Sequence, residues 1–312
     1  MKAAVLAHYG SAQAFRIKDI AVPVLKAGQL LVRNYASSVN PVDVLARRGW
    51  LRVASGLWGE PVLGSDFCGV VTATRSRHFG VGDEVWGFVS PATGRAYAEQ
   101  VAVPDSVAAR KPVGVSYAEV GAMPLAGLTA YQALVRLGCL QAGQRVLING
   151  CTGGVGTAAV QIAAALGAHV TGTCRGQHRA VAHALGCDEV LDYQTQPLPQ
   201  NWSFDLILDT AARLTLSKIE NSLTSEGILI TAKPNYENLT SAFTSALDLL
   251  KRRMKMVRVH SRPADLLALA ALIEQSQLKP CLAHMLPLEE IAQAHVLLER
   301  GGLVGKIGIT IS

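Results

Sequence analysis

Short β-prone runs separated by turn signals fill the first third of the chain. Lys2 to Leu6, Gln29 to Ala36, Gly69 to Ala73, Glu84 to Phe88 and Ala96 to Val103 are the runs. Lys26-Ala-Gly28, Gly80-Val-Gly-Asp83 and Thr93-Gly94 are the turns between them. Strands at this spacing predict a barrel or sandwich-like β domain. Near Ser116 the pattern changes to alternation of strand and helix. Leu128 to Arg136 reads as a helix, Gln144 to Asn149 as a continuous apolar strand, and about Thr157 to Leu166 as an Ala-rich helix. His169 to Cys174, Glu189 to Asp192, Phe204 to Asp209 and Gly227 to Ala232 follow as strands, with His178 to Leu185 and Ser217 to Leu223 as helices. Short connections between alternating elements predict a doubly wound parallel sheet. Pro263 to Gln275 and Leu288 to Glu299 read as helices, Lys279 to Leu286 and Gly305 to Ile311 as strands. This tail is expected to return to the first domain and make it discontinuous.

Composition narrows the class. The chain has 312 residues, half of them apolar and 17% charged, which excludes a disordered chain. No apolar run approaches the roughly 20 residues that cross a bilayer, and the N-terminal run is too brief for a secretory signal. A cytoplasmic protein with no membrane partner is expected. Six scattered cysteines form no C-x-x-C pair and no structural zinc spacing, so they read as free thiols. The net charge of +6 permits a polyanionic partner without requiring one.

The strongest local chemistry lies in Val146-Leu-Ile-Asn-Gly-Cys-Thr-Gly-Gly-Val-Gly-Thr157. A buried strand runs into a glycine turn that opens a helix. The glycines admit a pyrophosphate close to the backbone, and the helix start offers free N–H groups and a positive dipole end. Cys151 replaces the first glycine of the usual fingerprint. An acid binding the ribose 2′-OH of NAD would fall near Cys174. The segment Thr173-Cys-Arg-Gly-Gln-His-Arg179 has none, and Arg175 and Arg179 suit a 2′-phosphate, so NADPH is the expected cofactor.

Asn40-Pro-Val-Asp43, Gly64-Ser-Asp-Phe-Cys-Gly-Val-Val71, Val81-Gly-Asp-Glu-Val85, Ala126-Gly-Leu-Thr-Ala-Tyr131, Gly153-Gly-Val-Gly156 and Gly305-Lys306 occur in this order. Together they resemble the zinc-free quinone oxidoreductase, or ζ-crystallin-like, branch of the medium-chain dehydrogenase/reductase superfamily. The resemblance spans essentially the whole chain. It implies an α/β protein with a GroES-like β domain (residues 1–118 and 264–312) and a Rossmann NADP-binding domain (residues 119–263), the cofactor lying in the cleft between them. It implies that Gly153, Gly154, Val155 and Gly156 hold the pyrophosphate, that Thr129 meets the nicotinamide amide, and that Arg179 takes the 2′-phosphate. Tyr193 would contact the adenosine end, Lys306 would face the cofactor, and Asn40 and Asp43 would lie near nicotinamide and substrate as catalytic groups. Asn40-Pro is equally a helix-start signal, and Asp43 equally a structural partner for a loop or Arg47. Leu45 stands where many relatives carry a pocket Tyr, so Trp50, Leu51 and Trp58 are alternative pocket residues. Such enzymes are commonly dimers or tetramers.

The zinc ligands of alcohol-dehydrogenase relatives are replaced in these segments, and Cys68 alone cannot build a three-ligand site, so no metal is expected. Without a Lewis acid, acceptors that delocalise charge are favoured, which points to hydride transfer to a quinone or an α,β-unsaturated carbonyl. Asn40 or a backbone N–H would polarise the carbonyl, and solvent would supply the proton. Two rival readings keep the fold with little catalysis. One is nucleic-acid binding through Lys251-Arg-Arg-Met-Lys-Met-Val-Arg258, read as a solvated helix end without interleaved aromatics. The other is NADPH sensing, with Cys151 as a thiol of lowered pKa. Nucleic acid is not the expected partner.

Overall fold

A computed structural model describes residues 1–52, 59–91, 94–198, 202–232 and 253–312. The fold divides into two units. One comprises Met1–Leu128, His260–Gln275 and Pro280–Ser312, the other Thr129–Val259 and Ser276–Lys279.

The first unit is built on β-strands. β1 (Lys2–Leu6) pairs antiparallel with β2 (Phe15–Asp19). A seven-stranded sheet carries β3 (Gln29–Val39), β4 (Asp66–Thr74), β5 (Glu84–Phe88), β6 (Gln100–Pro104) and β7 (Ala108–Arg110). The second unit contains β8 (Arg145–Asn149), β9 (His169–Cys174), β10 (Glu189–Asp192), β11 (Phe204–Asp209), β12 (Leu223–Thr231) and β13 (Met254–Met256). The chain then returns to the first sheet with β14 (Leu282–Pro287) and β15 (Lys306–Thr310), in the order β14-β15-β3-β4-β5-β7 with β6 on β3. Because β15 lies between β14 and β3, the C-terminal strand sits inside the sheet. Its Ile307 and Ile309, with Ile311 just beyond it, join Ala3, Leu6, Val39, Leu63 and Tyr97 in one buried apolar cluster.

The second unit is a six-stranded parallel sheet in the order β10-β9-β8-β11-β12-β13. Runs such as Val146-Leu-Ile148 and Leu206-Ile-Leu208 are buried throughout, as expected of strands covered on both faces. The helix Gly154–Ala165 presents small residues to the sheet, and eight of its residues, from Gly156 to Ala163, are buried. The α/β fold class expected from the alternation is therefore present.

Local departures have physical reasons. Phe15–Asp19 is a strand with one buried residue and four exposed ones, so it carries no alternating signal. The helix expected up to Leu223 ends as Leu216–Ile219 with one tight turn, and β12 begins at Leu223, with a register shift opposite Phe204. The basic run was expected to end a helix, but its described part contains β13. Arg253 donates to the carbonyls of Thr224 (2.6 Å) and Gly227 (3.1 Å), and Lys255 to that of Leu137 (3.0 Å), so these cations tie backbone within the unit. Lys251 and Arg252 lie outside the described residues.

His295 is buried in the first core, with Phe15 at 4.9 Å and Tyr97 at 5.9 Å between ring centroids. Neither ring nitrogen has a hydrogen-bond partner among the described residues. Burial, with the Arg47 charge, lowers its pKa from 6.5 to about 3. In the unfolded chain the ring protonates below about 6.5, and in the fold it does not. Its contribution to stability is therefore full above 6.5 and is lost progressively as pH falls towards 3. Between pH 7.5 and 5 this amounts to about 2 kcal/mol. His295→Leu should abolish that component: the difference in unfolding free energy between variant and wild type should grow in the variant's favour by that amount on acidification. Chemical denaturation at the two pH values measures it, and a difference independent of pH would refute the assignment.

Candidate functional site

In the second unit the chemistry begins where β8 ends. Gly150 has φ +82°, and its backbone turns the chain beneath Thr210, whose hydroxyl would stand 2.7 Å from a Cβ at this position. Gly153 is the N-cap of the helix Gly154–Ala165. The first-turn N–H groups of that helix have no intrahelical acceptor. Gly153, Gly154 and Val155 remain partly exposed at this start, and Gly156 is buried beneath them. A Cβ on Gly156 would lie 2.0 Å from the Gly150 carbonyl oxygen and 2.8 Å from Cys151 Cα and carbonyl carbon. The turn and helix therefore pack backbone to backbone, leaving a concave row of donors that fits a pyrophosphate.

Cys151 does not face that row. It is fully buried, and its thiol pKa is raised by hydrogen bonding to Cys187 and by burial. This runs against the rival reading of a helix-start thiol of lowered pKa: the sulfur lies inside the protein beside Cys187 and Gly172.

At the far end of β9, Cys174 occupies the acid position and is buried. The two arginines beyond it are exposed and held by neighbours. Arg175 Nε donates to the Tyr193 hydroxyl (3.1 Å), and Arg179 Nη2 to Gln196 Oε1 (3.1 Å). Arg175 with Tyr193, and Arg179 with Gln196, thus lie just beyond the ends of the outer strands β9 and β10. An acid lies beside it on β10: Asp192 Oδ2 would be 2.7 Å from a Cβ on Gly176. Thr129 lies in the helix Pro124–Tyr131 and is 5% exposed.

The first unit buries a second polar cluster. Asn40 N-caps the helix Pro41–Arg47, and the Asp43 carboxylate returns to the Asn40 backbone N–H (2.9 Å). The Asn40 amide donates to Asp66 Oδ2 (2.8 Å) and Asp43 Oδ2 (3.2 Å), and its oxygen accepts from Lys306 Nζ (2.5 Å). Lys306 also donates to the Val39 carbonyl (3.2 Å). Ser65 donates to Asp43 Oδ1 (2.8 Å) and Ser38 to Asp66 Oδ2 (2.5 Å). Asp66 Oδ1 accepts the Leu125 backbone N–H (2.7 Å), at the start of the helix that carries Thr129. Asn40, Asp43, Asp66 and Lys306 are all at most 7% exposed.

Two carboxylates and one ammonium share this dry space. Burial pushes Asp43 up to about 6, and the Asp66 charge adds to the rise, against hydrogen bonds from Ser65 and Asn40. Burial raises Asp66, while Lys306 and the donors around it pull the other way. Burial lowers Lys306, opposed by the two acids. Tyr97, also buried here, is raised well above 10. The cluster can therefore hold a proton close to neutral pH. The expected site residues fall into two groups: Asn40, Asp43 and Lys306 are brought together by hydrogen bonds, and the glycine turn with Arg175, Arg179 and Tyr193 lies along one sheet. Asp66 and Asp209 were not singled out from sequence. Each is an acid beside an apolar β-run, a signal that could have marked them. Trp58 lies outside the described residues, Trp50 is 62% exposed, and Leu51 packs on the first core.

A family model for the alcohol dehydrogenase GroES-like domain matches residues 26–132, and one for a zinc-binding dehydrogenase matches residues 185–307. A chloroplastic quinone-oxidoreductase homolog of Spinacia oleracea is 30% identical over 310 residues, 96% of this chain and 94% of that protein. A mitochondrial NAD(P)H oxidoreductase of Mus musculus, RTN4IP1, is 28% identical over 358 residues, covering 100% of this chain and 89% of its own. The solved quinone oxidoreductase of Coxiella burnetii superposes with a TM-score of 0.90 at 26% identity, over 100% of this chain and 99% of that one. The chain belongs to the quinone oxidoreductase branch of the medium-chain dehydrogenase/reductase superfamily.

Proposed function

We propose that this protein is an NADPH-dependent, zinc-independent reductase that transfers hydride to a quinone or an α,β-unsaturated carbonyl. The observation that carries the reading is the glycine turn, on which the helix start packs so closely that a Cβ at Gly156 would meet the Gly150 carbonyl and the Cys151 backbone, leaving the first-turn N–H groups in an open row. When bound, the nicotinamide supplies the hydride. Gly153, Gly154, Val155 and Gly156 hold the pyrophosphate through first-turn N–H groups. Arg175 and Arg179 take the 2′-phosphate, with Tyr193 beside the adenosine end and Thr129 at the nicotinamide amide. The named activities of the spinach, mouse and Coxiella relatives support a nicotinamide cofactor and a quinone acceptor.

Residues 119–263 are read as the cofactor side and residues 1–118 and 264–312 as the substrate side. Asn40 and Asp43 serve there as part of a proton-holding cluster, with Lys306 as its cation. Both ends of the Asn40 amide are engaged within that cluster, so polarisation of the acceptor carbonyl is assigned to backbone N–H groups, and solvent delivers the proton. The donor set supports the absence of zinc from the reaction. Asn40 already accepts from the Lys306 ammonium and Asp66 from Asn40 and Ser38, and among the described residues no three His, Cys, Asp or Glu side chains cluster as metal ligands. No described helix is long and apolar enough to cross a membrane. The short β13 at the edge of the sheet is the proposed contact of a homodimer or homotetramer.

The test is isotopic. NADPH deuterated at the transferable C4 position should give enone product labelled at the β-carbon, and benzoquinone reduced to hydroquinone with one NADPH consumed per quinone. Unlabelled product, or turnover that needs added zinc, would contradict the reading.

A further inference from the structure

β8 and β11 are neighbours at the point where the strand order of the parallel sheet reverses. In such sheets ligands bind in the crevice outside the carboxyl ends of the strands at this point. The glycine turn after β8 forms one wall. The opposite wall is the segment that leaves β11, residues 210–214.

That segment is pinned by one buried acid. Asp209, the last residue of β11, is fully buried. Its Oδ2 accepts the N–H groups of Arg213 (2.8 Å) and Leu214 (2.7 Å), and its Oδ1 that of Ala211 (3.1 Å). Oδ1 also accepts from Asn149 Nδ2 at the end of β8 (2.8 Å). Asn149 Oδ1 in turn accepts from Thr173 near the end of β9 (2.6 Å), and Thr173 Oγ1 accepts the Gly150 N–H (3.1 Å). The Thr210 hydroxyl donates to the carbonyls of Asn149 (2.8 Å) and Gly150 (3.2 Å). One carboxylate therefore ties the ends of three strands to the loop and to the glycine turn.

The loop is held in a conformation it would not choose alone. Ala212 has φ +57°, a left-handed geometry disfavoured for a residue with a Cβ. Such residues persist where the surroundings over-determine them and collect beside ligand clamps. The three N–H groups gathered by Asp209 flank Ala212 on both sides. Arg175, Arg179 and Tyr193 mark the adenosine end over β9 and β10, on one side of β8, and β11 lies on the other.

We propose that Asp209 is a positioning residue for the nicotinamide half of the dinucleotide: it holds residues 210–214 against the glycine turn, so that this loop forms the crevice wall on the side away from the adenosine end. The inference rests on the NADPH reading above. Asp209→Asn keeps the size of the side chain but replaces one acceptor oxygen by a donor facing backbone N–H groups. Thr210→Val removes a single hydroxyl and is the milder probe should Asp209→Asn fail to fold.

Binding of NADPH should be compared with binding of adenosine 2′,5′-bisphosphate, which carries the adenosine end alone. For Asp209→Asn the NADPH dissociation constant should rise about tenfold or more, the scale of a lost hydrogen bond to a charged group, with the bisphosphate essentially unchanged. Thr210→Val should show the same split at about threefold. Equal weakening of both ligands, or no weakening of either, would overturn the positioning role while leaving the cofactor reading intact. A wild-type chain that binds neither ligand would overturn the cofactor reading itself, and this inference with it.

Discussion

Lys306→Met should destabilise the protein by about 3–5 kcal/mol at neutral pH, the scale of a buried ion pair deprived of one partner. Lys306 is the ammonium within the buried cluster of Asn40, Asp43 and Asp66, and it donates directly to Asn40 and Val39. Methionine fills a similar volume but leaves two carboxylates in a dry space. Both must then take up protons more readily than in the wild type, where Asp43 is already raised to about 6. An acid raised in the fold above its unfolded value contributes stability below the unfolded value near 4 and loses it as pH rises through the folded one. The deficit of Lys306→Met should therefore be largest at pH 7.5 and shrink as pH falls below 6. Adding Asp66→Asn should recover part of the loss at pH 7.5, because one of the two uncompensated charges is removed while its amide NH2 must face donors from Ser38, Asn40 or Leu125. Chemical denaturation of the three proteins at pH 7.5 and 5.5 decides this, and a deficit equal at both pH values would contradict a charge-based role for Lys306.

Gly156→Val should weaken NADPH binding about a hundredfold or more, the equivalent of two charge-assisted hydrogen bonds. The atoms that a side chain would meet are the Gly150 carbonyl and the Cys151 backbone, at 2.0 and 2.8 Å. No flexible side chain can yield there. The helix start must move off the turn, and the row of N–H donors opens with it. The first unit shares no part of this packing, so the variant should keep its β core, visible as an unchanged acid transition from His295.

The parts of this molecule that follow local pattern were legible in the sequence. His169–Cys174, Glu189–Asp192 and Phe204–Asp209 form as read, because short β-prone runs alternating with helices over short connections leave few alternatives. β2 was missed because Phe15–Asp19 turns four of its five residues to solvent. The glycine turn was legible from spacing alone, but the orientation of Cys151 was not, since it depends on where Cys187 and Gly172 come to rest. The polar cluster was half legible. Asn40 and Asp43 sit three residues apart in a helix-start signal. Their bonds to Asp66 and Lys306 span 26 and 266 residues, and no local rule carries across such distances. Asp209 was read as the last residue of a strand. Its role emerges only when β8 and β9 arrive beside it.

The most direct test of the cofactor account is a fluorescence titration of the purified chain with NADPH and with NADH, repeated on Gly156→Val. The account predicts micromolar binding of NADPH, NADH weaker by about tenfold or more for want of the phosphate that Arg175 and Arg179 take, and loss of both in the variant. Binding of neither nucleotide by the wild type, or unchanged binding by Gly156→Val, would contradict it.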